Sequence, residues 1–163
     1  MSKAFTNEES TQEVLVPPRP PLPAGVPNYV TPRGLELLRA ERQKLEAARA
    51  ALDAGPDEGR ATELGAWAVR MAELEQRLAS AQLVDPASHP PNIVRFGSTV
   101  TVSDEAGRSR TYQIVGVDEA DPERGKIAFS SPLARALLGS AAGDCVVFET
   151  PGRVQELEIT ASE

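Results

Sequence analysis

The chain has 163 residues, with 17 lysines and arginines against 24 aspartates and glutamates, and its formal net charge is −7. This balance argues against a protein that binds nucleic acid by covering phosphates, because that mode needs a basic face. No apolar run approaches the roughly 18 residues that a membrane-spanning helix requires, and the polar first residues do not resemble a signal peptide. We therefore expect a cytoplasmic protein that contacts nucleic acid only through a partner.

Proline and polar residues dominate the first part of the chain. Residues 7–13 form a polar run, and six prolines follow between residues 17 and 27. Such a segment cannot bury a core, and its composition favours disorder with polyproline character. We predict a disordered proline-rich tail over residues 1–28 that acts as a stiff spacer; the alternative is a ligand for an aromatic groove on another protein.

Apolar residues recur at spacings of three and four in two successive segments. The pattern predicts an antiparallel helical hairpin, or coiled-coil finger, over residues 29–84. Thr31 is expected to cap the first helix and Pro32 to open it, while Gly55 and Pro56 end it. Each helix would have about two dozen residues and a length of roughly 35 Å at about 1.5 Å per residue. The predicted seam contains Leu35, Leu38, Leu45 and Leu52 of the first helix and Leu64, Trp67, Met71, Leu74, Leu78 and Ala81 of the second.

Three carboxylates lie where the two predicted helices meet. Asp53 falls in the last turn of the first helix, and Asp57 and Glu58 fall in the loop. Mg²⁺ prefers oxygen ligands and usually keeps several waters, so two carboxylates on a mobile tip are chemically sufficient to help hold it. The alternative is an ordinary polar loop whose acids lie near the N-terminus of the second helix, where the helix dipole favours them. The residues alone leave both interpretations open.

The pattern changes after a short proline-rich linker at residues 85–92. From residue 93 apolar residues alternate, which is typical of strands. We predict a small antiparallel sheet with one helix across it over residues 93–163, which makes the whole chain α+β. Its predicted elements are a hairpin turning at residues 104–107, a strand at 127–129, a helix at 132–138 and a second hairpin turning at 150–152.

The reactive residue types have ordinary interpretations. The single cysteine, Cys145, excludes an intramolecular disulfide and is expected to be a small core residue of a buried strand. His89 stands among linker prolines and has no partner at metal-ligand spacing. The sequence contains no recognisable phosphate-binding glycine loop, nucleophile-and-base pair or metal cluster, so we do not expect an autonomous enzyme.

Several sequence blocks of the C-terminal part resemble a known family. Residues 112–121 and 127–139 read Tyr-Gln-Ile-Val-Gly-Val-Asp-Glu-Ala-Asp and Ile-Ala-Phe-Ser-Ser-Pro-Leu-Ala-Arg-Ala-Leu-Leu-Gly, and Gly-Asp and Thr-Pro-Gly follow in order. Together they look like the C-terminal domain of the bacterial Gre (GreA/GreB) transcription elongation factors, and the resemblance extends over about residues 29–160. It implies a coiled-coil finger followed by an FKBP-like C-terminal domain.

The resemblance also implies a partner, which is RNA polymerase. In that family the C-terminal domain docks beside the secondary channel and the finger enters the channel, and we expect this chain to act as a monomer. The loop with Asp118 and Glu119 would lie on the polymerase-facing side, together with residues 130–138. The expected docking positions are Asp118, Glu119, Ser131, Pro132, Leu133 and Arg135.

For the finger tip, the resemblance implies an accessory role in metal-ion catalysis. Family members that stimulate transcript cleavage help to hold a second Mg²⁺ of the polymerase through tip carboxylates and orient the water that cuts the RNA. Asp53, Asp57 and Glu58 are the candidate metal ligands here, with Asp57 and Glu58 as the accessory catalytic pair and no cofactor of the protein's own. Residues 54–60, Ala-Gly-Pro-Asp-Glu-Gly-Arg, replace the family's tip motif, and the arm is shorter by roughly two turns per helix.

Three functions therefore remain open. The first is a Gre-like regulator that inserts its finger into the channel and assists cleavage, and the second is a channel occupant that binds without stimulating cleavage. The third, suggested by the FKBP-like fold alone, is a peptide-binding or prolyl-isomerase module. Few aromatic residues are available to line a proline pocket in this third case.

Overall fold

The computed structural model describes residues 18–163 and contains the predicted helical hairpin. Helix α1 spans Pro32–Ala54 and helix α2 spans Arg60–Ser80. Two short strands, β1 at Asn28–Val30 and β2 at Ala81–Leu83, lie at the base of the hairpin and pair in parallel. None of the helices within the described residues is both long and apolar enough to cross a membrane.

The ends of the helices follow local signals in the sequence. Thr31 Oγ1 accepts a hydrogen bond from the backbone N–H of Gly34 at 2.9 Å, and Pro32 occupies the first turn of α1. Gly55 ends α1, and Gly59, with φ of +74°, turns the chain into α2. The second helix stops at Ser80, before the predicted end of the hairpin, because the next three residues pair with β1 instead.

The seam of the hairpin is tightest at its base. Leu38 and Leu74 are fully buried there and pack with Val30 of β1. Towards the tip the contacts are looser, and Trp67 is only partly buried; its Nε1 donates to the carbonyl oxygen of Leu45 at 2.7 Å. The guanidinium of Arg49 lies over the Trp67 ring, 5.1 Å from its centroid. The end nearest the sheet therefore supplies most of the hairpin's apolar packing.

The C-terminal part is a curled five-stranded sheet with one short helix, which confirms the α+β class. The strand order is β5-β4-β3-β7-β6, and all neighbouring pairs are antiparallel except β4 and β5. These two run parallel because residues 116–125 carry the chain back before β5 begins, so the sheet is mixed. The elements are β3 (Thr99–Asp104), β4 (Ser109–Val115), β5 (Lys126–Ala128), α3 (Pro132–Leu137), β6 (Cys145–Thr150) and β7 (Arg153–Ser162).

The core of this domain lies between the sheet and α3. Ala134 and Leu137 of the helix are fully buried against it. Cys145 was expected in the core but is exposed, because the two-residue period of β6 turns Val146 inward and Cys145 outward. The buried residues of this core are Val94, Val100, Val102, Ile114, Ile127, Phe129, Ala134, Leu137, Val146, Leu157 and Ile159.

The last part of the predicted tail is packed against the rest of the molecule. Residues 18–27, which we call the N-terminal strap, follow the base of the hairpin, and Arg19 forms ion pairs with Glu41 and Asp118. The strap thus contacts two carboxylates of the folded body through its arginine, and the stiff-spacer role stays a prediction. The disorder predicted for residues 1–17 concerns a segment outside the described residues.

Candidate functional site

The finger tip presents its acidic residues to solvent. The side chain of Asp57 is 96% exposed, and Glu58 is exposed beside it. Nη1 of Arg60 lies 2.8 Å from Oδ1 of Asp57, so an arginine of the first turn of α2 partly neutralises this carboxylate. Arg60 also donates to the carbonyl oxygen of Gly55, which ties the two ends of the tip loop together. The loop thus has its own internal order.

Asp53 is paired as well. Its Oδ2 lies 3.2 Å from Nε of Arg49, one helical turn earlier. Two of the three predicted metal ligands thus have arginine partners that disfavour a nearby dication. Within residues 18–163, no group of three or more histidines, cysteines, aspartates or glutamates is arranged to hold a metal ion. The tip offers the oxygen donors that Mg²⁺ prefers, and a metal would have to compete with these two arginines for Asp53 and Asp57.

The predicted docking segment projects from the start of α3. Ser131 caps this helix, since its Oγ accepts from the backbone N–H of Ala134 at 3.2 Å. Pro132 and Arg135 are exposed, and Leu133 is partly buried against the core. Pro132 and Arg135 are therefore the members of this segment that an approaching protein would touch.

The acidic loop turns two of its carboxylates inward. The side chain of Glu119 is only 2% exposed; it accepts a hydrogen bond from Thr31 Oγ1 and pairs with Nζ of Lys126 at 3.3 Å. Asp118 accepts from Nη1 of Arg19 at 2.8 Å and from Nη1 of Arg77 at 3.3 Å. Both carboxylates hold the hairpin and the sheet together, so their side chains are not part of an open docking surface.

Burial and opposite charge act against each other at Arg19. Burial alone would lower the pKa of its guanidinium, but hydrogen bonds and charges from Asp118 and Glu41 outweigh this effect, so the pKa is raised above its ordinary value. Arg19 is thus cationic at any physiological pH. Its partners Asp118 and Glu41 place two carboxylates beside this cation at the base of the finger.

An aromatic cluster forms the apolar part of the same junction. Tyr29 of β1 packs against both Phe96 and Phe129 of the sheet domain, with ring centroids 5.7 Å and 6.0 Å away, and the two phenylalanine rings are 5.7 Å apart. Gly116 makes this approach possible, because a Cβ at that position would lie only 2.6 Å from the carbonyl oxygen of Tyr29. The finger is therefore joined to the sheet domain by packing as well as by charge.

The sheet also forms a cavity of about 260 Å³ beneath the start of α3. Tyr112, Leu133 and Phe148 contribute to its lining, and arginines at positions 108, 110 and 153 also line it. In this cavity two aromatic rings lie beside three arginines. The cavity therefore does not provide the apolar proline pocket that a prolyl isomerase requires.

The fold and these sites define a class of two-part proteins, in which a helical finger with an acidic tip is fixed to a small curled sheet domain. Residues 89–163 match the family described as "Transcription elongation factor, GreA/GreB, C-term". A GreA from Ralstonia nicotianae is 38% identical over 149 residues, covering 81% of this chain and 94% of that protein. The chain belongs to the GreA/GreB family of transcription elongation factors.

Other relatives match over shorter stretches. A GreA from Legionella pneumophila is 51% identical over 92 residues, which cover 55% of this chain and 58% of that protein. Among solved structures, GreA factor homolog 1 (Gfh1) of Thermus thermophilus is 26% identical and covers 85% of this chain and 99% of its own, with a TM-score of 0.41.

Proposed function

We propose that this protein binds RNA polymerase through its C-terminal domain and inserts its short finger into the secondary channel. The observation that carries the proposal is the close contact between finger and sheet within a GreA/GreB-family chain. The Tyr29 cluster and the inward-facing Asp118 and Glu119 fix the finger to the docking domain. A finger held in this way enters the channel in a direction set by where the domain docks.

We further propose that the protein acts as a channel occupant without stimulating transcript cleavage. Helices of 23 and 21 residues make a short arm. The alignment with the Ralstonia nicotianae relative supports a shorter chain. It has 149 positions but contains 81% of the 163 residues of this protein, or about 132. About 17 positions of the relative therefore have no counterpart in this protein. The tip acids, two of them paired with arginine, are unsuited to gather around a metal.

Reach is the physical reason for preferring occupancy over cleavage. A rigid arm that is about two turns shorter loses roughly 10 Å at about 5.4 Å per turn. A carboxylate must approach Mg²⁺ to about 2.1 Å in order to ligate it. The protein would then affect elongation, pausing or the access of other channel factors by filling space, and at most it would lend carboxylates to the polymerase active site.

The experiment that tests the proposal is binding to core RNA polymerase. Arg135→Glu should weaken binding to the polymerase at least tenfold. Charge reversal at an exposed docking position would bring like charges together in the interface, or would leave the polymerase groups that pair with the arginine without a partner. The matched control is Arg33→Glu, an exposed arginine on α1 whose side chain is 63% accessible. Equal affinities of both variants and the wild type would contradict docking at α3, and no binding by the wild type would refute the function.

A further inference from the structure

The N-terminal strap connects two parts of the molecule through one side chain. Nη1 of Arg19 donates to Oδ1 of Asp118 at 2.8 Å, and its Nη2 pairs with Oε1 of Glu41. Glu41 belongs to α1, whereas Asp118 belongs to the loop after β4 of the sheet domain. A single guanidinium thus bridges finger and sheet, and its side chain is only 15% exposed.

A second arginine completes this cluster from the other helix. Arg77 of α2 donates through Nη1 to Oδ2 of Asp118 at 3.3 Å and through Nη2 to the backbone oxygen of Pro20 in the strap. The side chains of Arg77 and Asp118 are each 8% exposed. Both helices, the sheet domain and the strap therefore meet in this cluster, in which α2 and the strap contact Asp118 directly and α1 is linked to it through Arg19.

The charges in this cluster balance. Arg19 and Arg77 face Asp118 and Glu41, so the four charges sum to zero. The Arg19–Asp118 and Arg77–Asp118 pairs are buried, whereas the Glu41 side chain is 42% exposed. Buried ion pairs add little net stability because of their desolvation cost, and in some proteins they serve to specify one arrangement over alternatives. Removing Arg19 would leave Glu41 without this partner and Asp118 with Arg77 alone.

The remainder of the strap runs towards the docking segment. Pro23, Ala24 and Val26 line a cavity of about 440 Å³ together with Phe129, Ser130 and Arg135. Prolines restrict the backbone before it binds, so holding the strap in one path costs less conformational entropy than it would for other residues. The strap thus crosses the junction from the helices to the edge of α3.

We propose that residues 18–27 are an intramolecular strap that sets the angle at which the finger projects from the sheet domain. The occupant of the groove at the hairpin base is then the chain's own proline-rich segment, and not the aromatic groove of another protein. A finger of about 35 Å that swings by about 15° moves its tip by about 9 Å. Only the consequence for entry into the channel depends on the proposed function.

The test measures the distance between the finger tip and the sheet domain in the full-length protein without polymerase. Cys145 is the single cysteine and is exposed on β6, so Glu58→Cys supplies the second position for a pair of nitroxide spin labels. Pulsed electron paramagnetic resonance then gives the distribution of tip-to-domain distances. Because polymerase is absent, failure of this inference is distinguishable from failure of the proposed function.

Four changes in the labelled background decide the question. Arg19→Ala and Asp118→Asn should broaden the distance distribution or shift its maximum by several ångström, since each removes part of the bridge. Arg33→Ala should reproduce the parent distribution, because the ion-pair partner of this arginine within residues 18–163 is Glu36 on the same helix. Removal of residues 1–17, which leaves the strap in place, should also reproduce it. Circular dichroism checks that each variant is folded.

The inference is overturned if Arg19→Ala keeps the parent distribution while remaining folded. Should Arg19→Ala unfold, Arg19→Lys decides, because lysine keeps the charge but cannot bridge two carboxylates with a planar fork. A broadened distribution for folded Arg19→Lys supports the strap, and an unchanged one refutes it.

Discussion

Neighbouring leucines on α1 provide the sharpest test of how the finger is stabilised. Leu38 is 2% exposed and packs at the hairpin base with Val30 and Leu74, whereas Leu37 is 39% exposed. The two positions share a helix, a residue type and a substitution. Comparing Leu38→Ala with Leu37→Ala therefore isolates the contribution of burial.

The expected cost of Leu38→Ala is about 3 kcal/mol. The transfer of the lost methyl and methylene groups accounts for roughly 2 kcal/mol at about 0.8 kcal/mol per group, and the cavity left behind adds the rest. The cluster contains only three buried residues, so neighbouring side chains can close part of the cavity and keep the cost in the lower part of the usual range. Leu37→Ala should cost less than about 1 kcal/mol, since alanine has the better helix propensity.

Urea unfolding followed by far-ultraviolet circular dichroism measures both costs. We expect a clear fall in the midpoint for Leu38→Ala and a small change for Leu37→Ala, with similar slopes. Hydrogen exchange should show the loss of protection in α1 and α2 and persistent protection in β3, β4 and β7, because the sheet has its own core. Equal midpoints for the two variants would refute the packing argument, and equal loss of protection in the sheet would show that finger and domain unfold as one cooperative unit.

The other predictions concern the tip and the first sheet hairpin. On backtracked polymerase complexes, the wild type should not stimulate cleavage, and the double change Asp57→Ala with Glu58→Ala should leave polymerase affinity nearly intact. The matched control is Glu36→Ala with Glu46→Ala. The proposal is overturned if the wild type shows Mg²⁺-dependent cleavage that the tip variant loses. In the turn after β3, the backbone N–H of Arg108 and its guanidinium lower the pKa of Asp104 below its usual 3.8. The ionised Asp104 side chain therefore stabilises the folded state at pH values above its unfolded-state pKa, and this stabilisation is lost as the pH falls through its lower folded-state pKa. On acidification, the amide chemical shifts of Ala106 and Arg108 should follow the protonation of Asp104, and they should show no such change in Asp104→Asn. An apparent pKa of Asp104 at or above 3.8 would contradict the prediction.

The sequence by itself determined several features that depend on neighbours in the chain. Thr31 and Pro32 fix the start of α1, and Gly55 fixes its end, because capping and turn formation involve residues only a few positions apart. The same holds for the start of α3 at Ser131 and for the turn after Asp104. The continuous apolar run at residues 145–148 likewise predicted a strand for β6, although not which of its faces was buried.

Only the tertiary structure decided how the two parts are joined. Asp118 and Glu119 look like a solvated acidic loop in sequence, but the chain positions of their partners Arg19 and Thr31 differ from theirs by 99 and 88 residues. Three-residue strands such as β1 and β2 show no periodicity, and they form because their parallel pairing closes the base of the hairpin. The tertiary structure also decided the path of the strap. A proline-rich segment has no core of its own, and its position depends on carboxylates that the fold brings together.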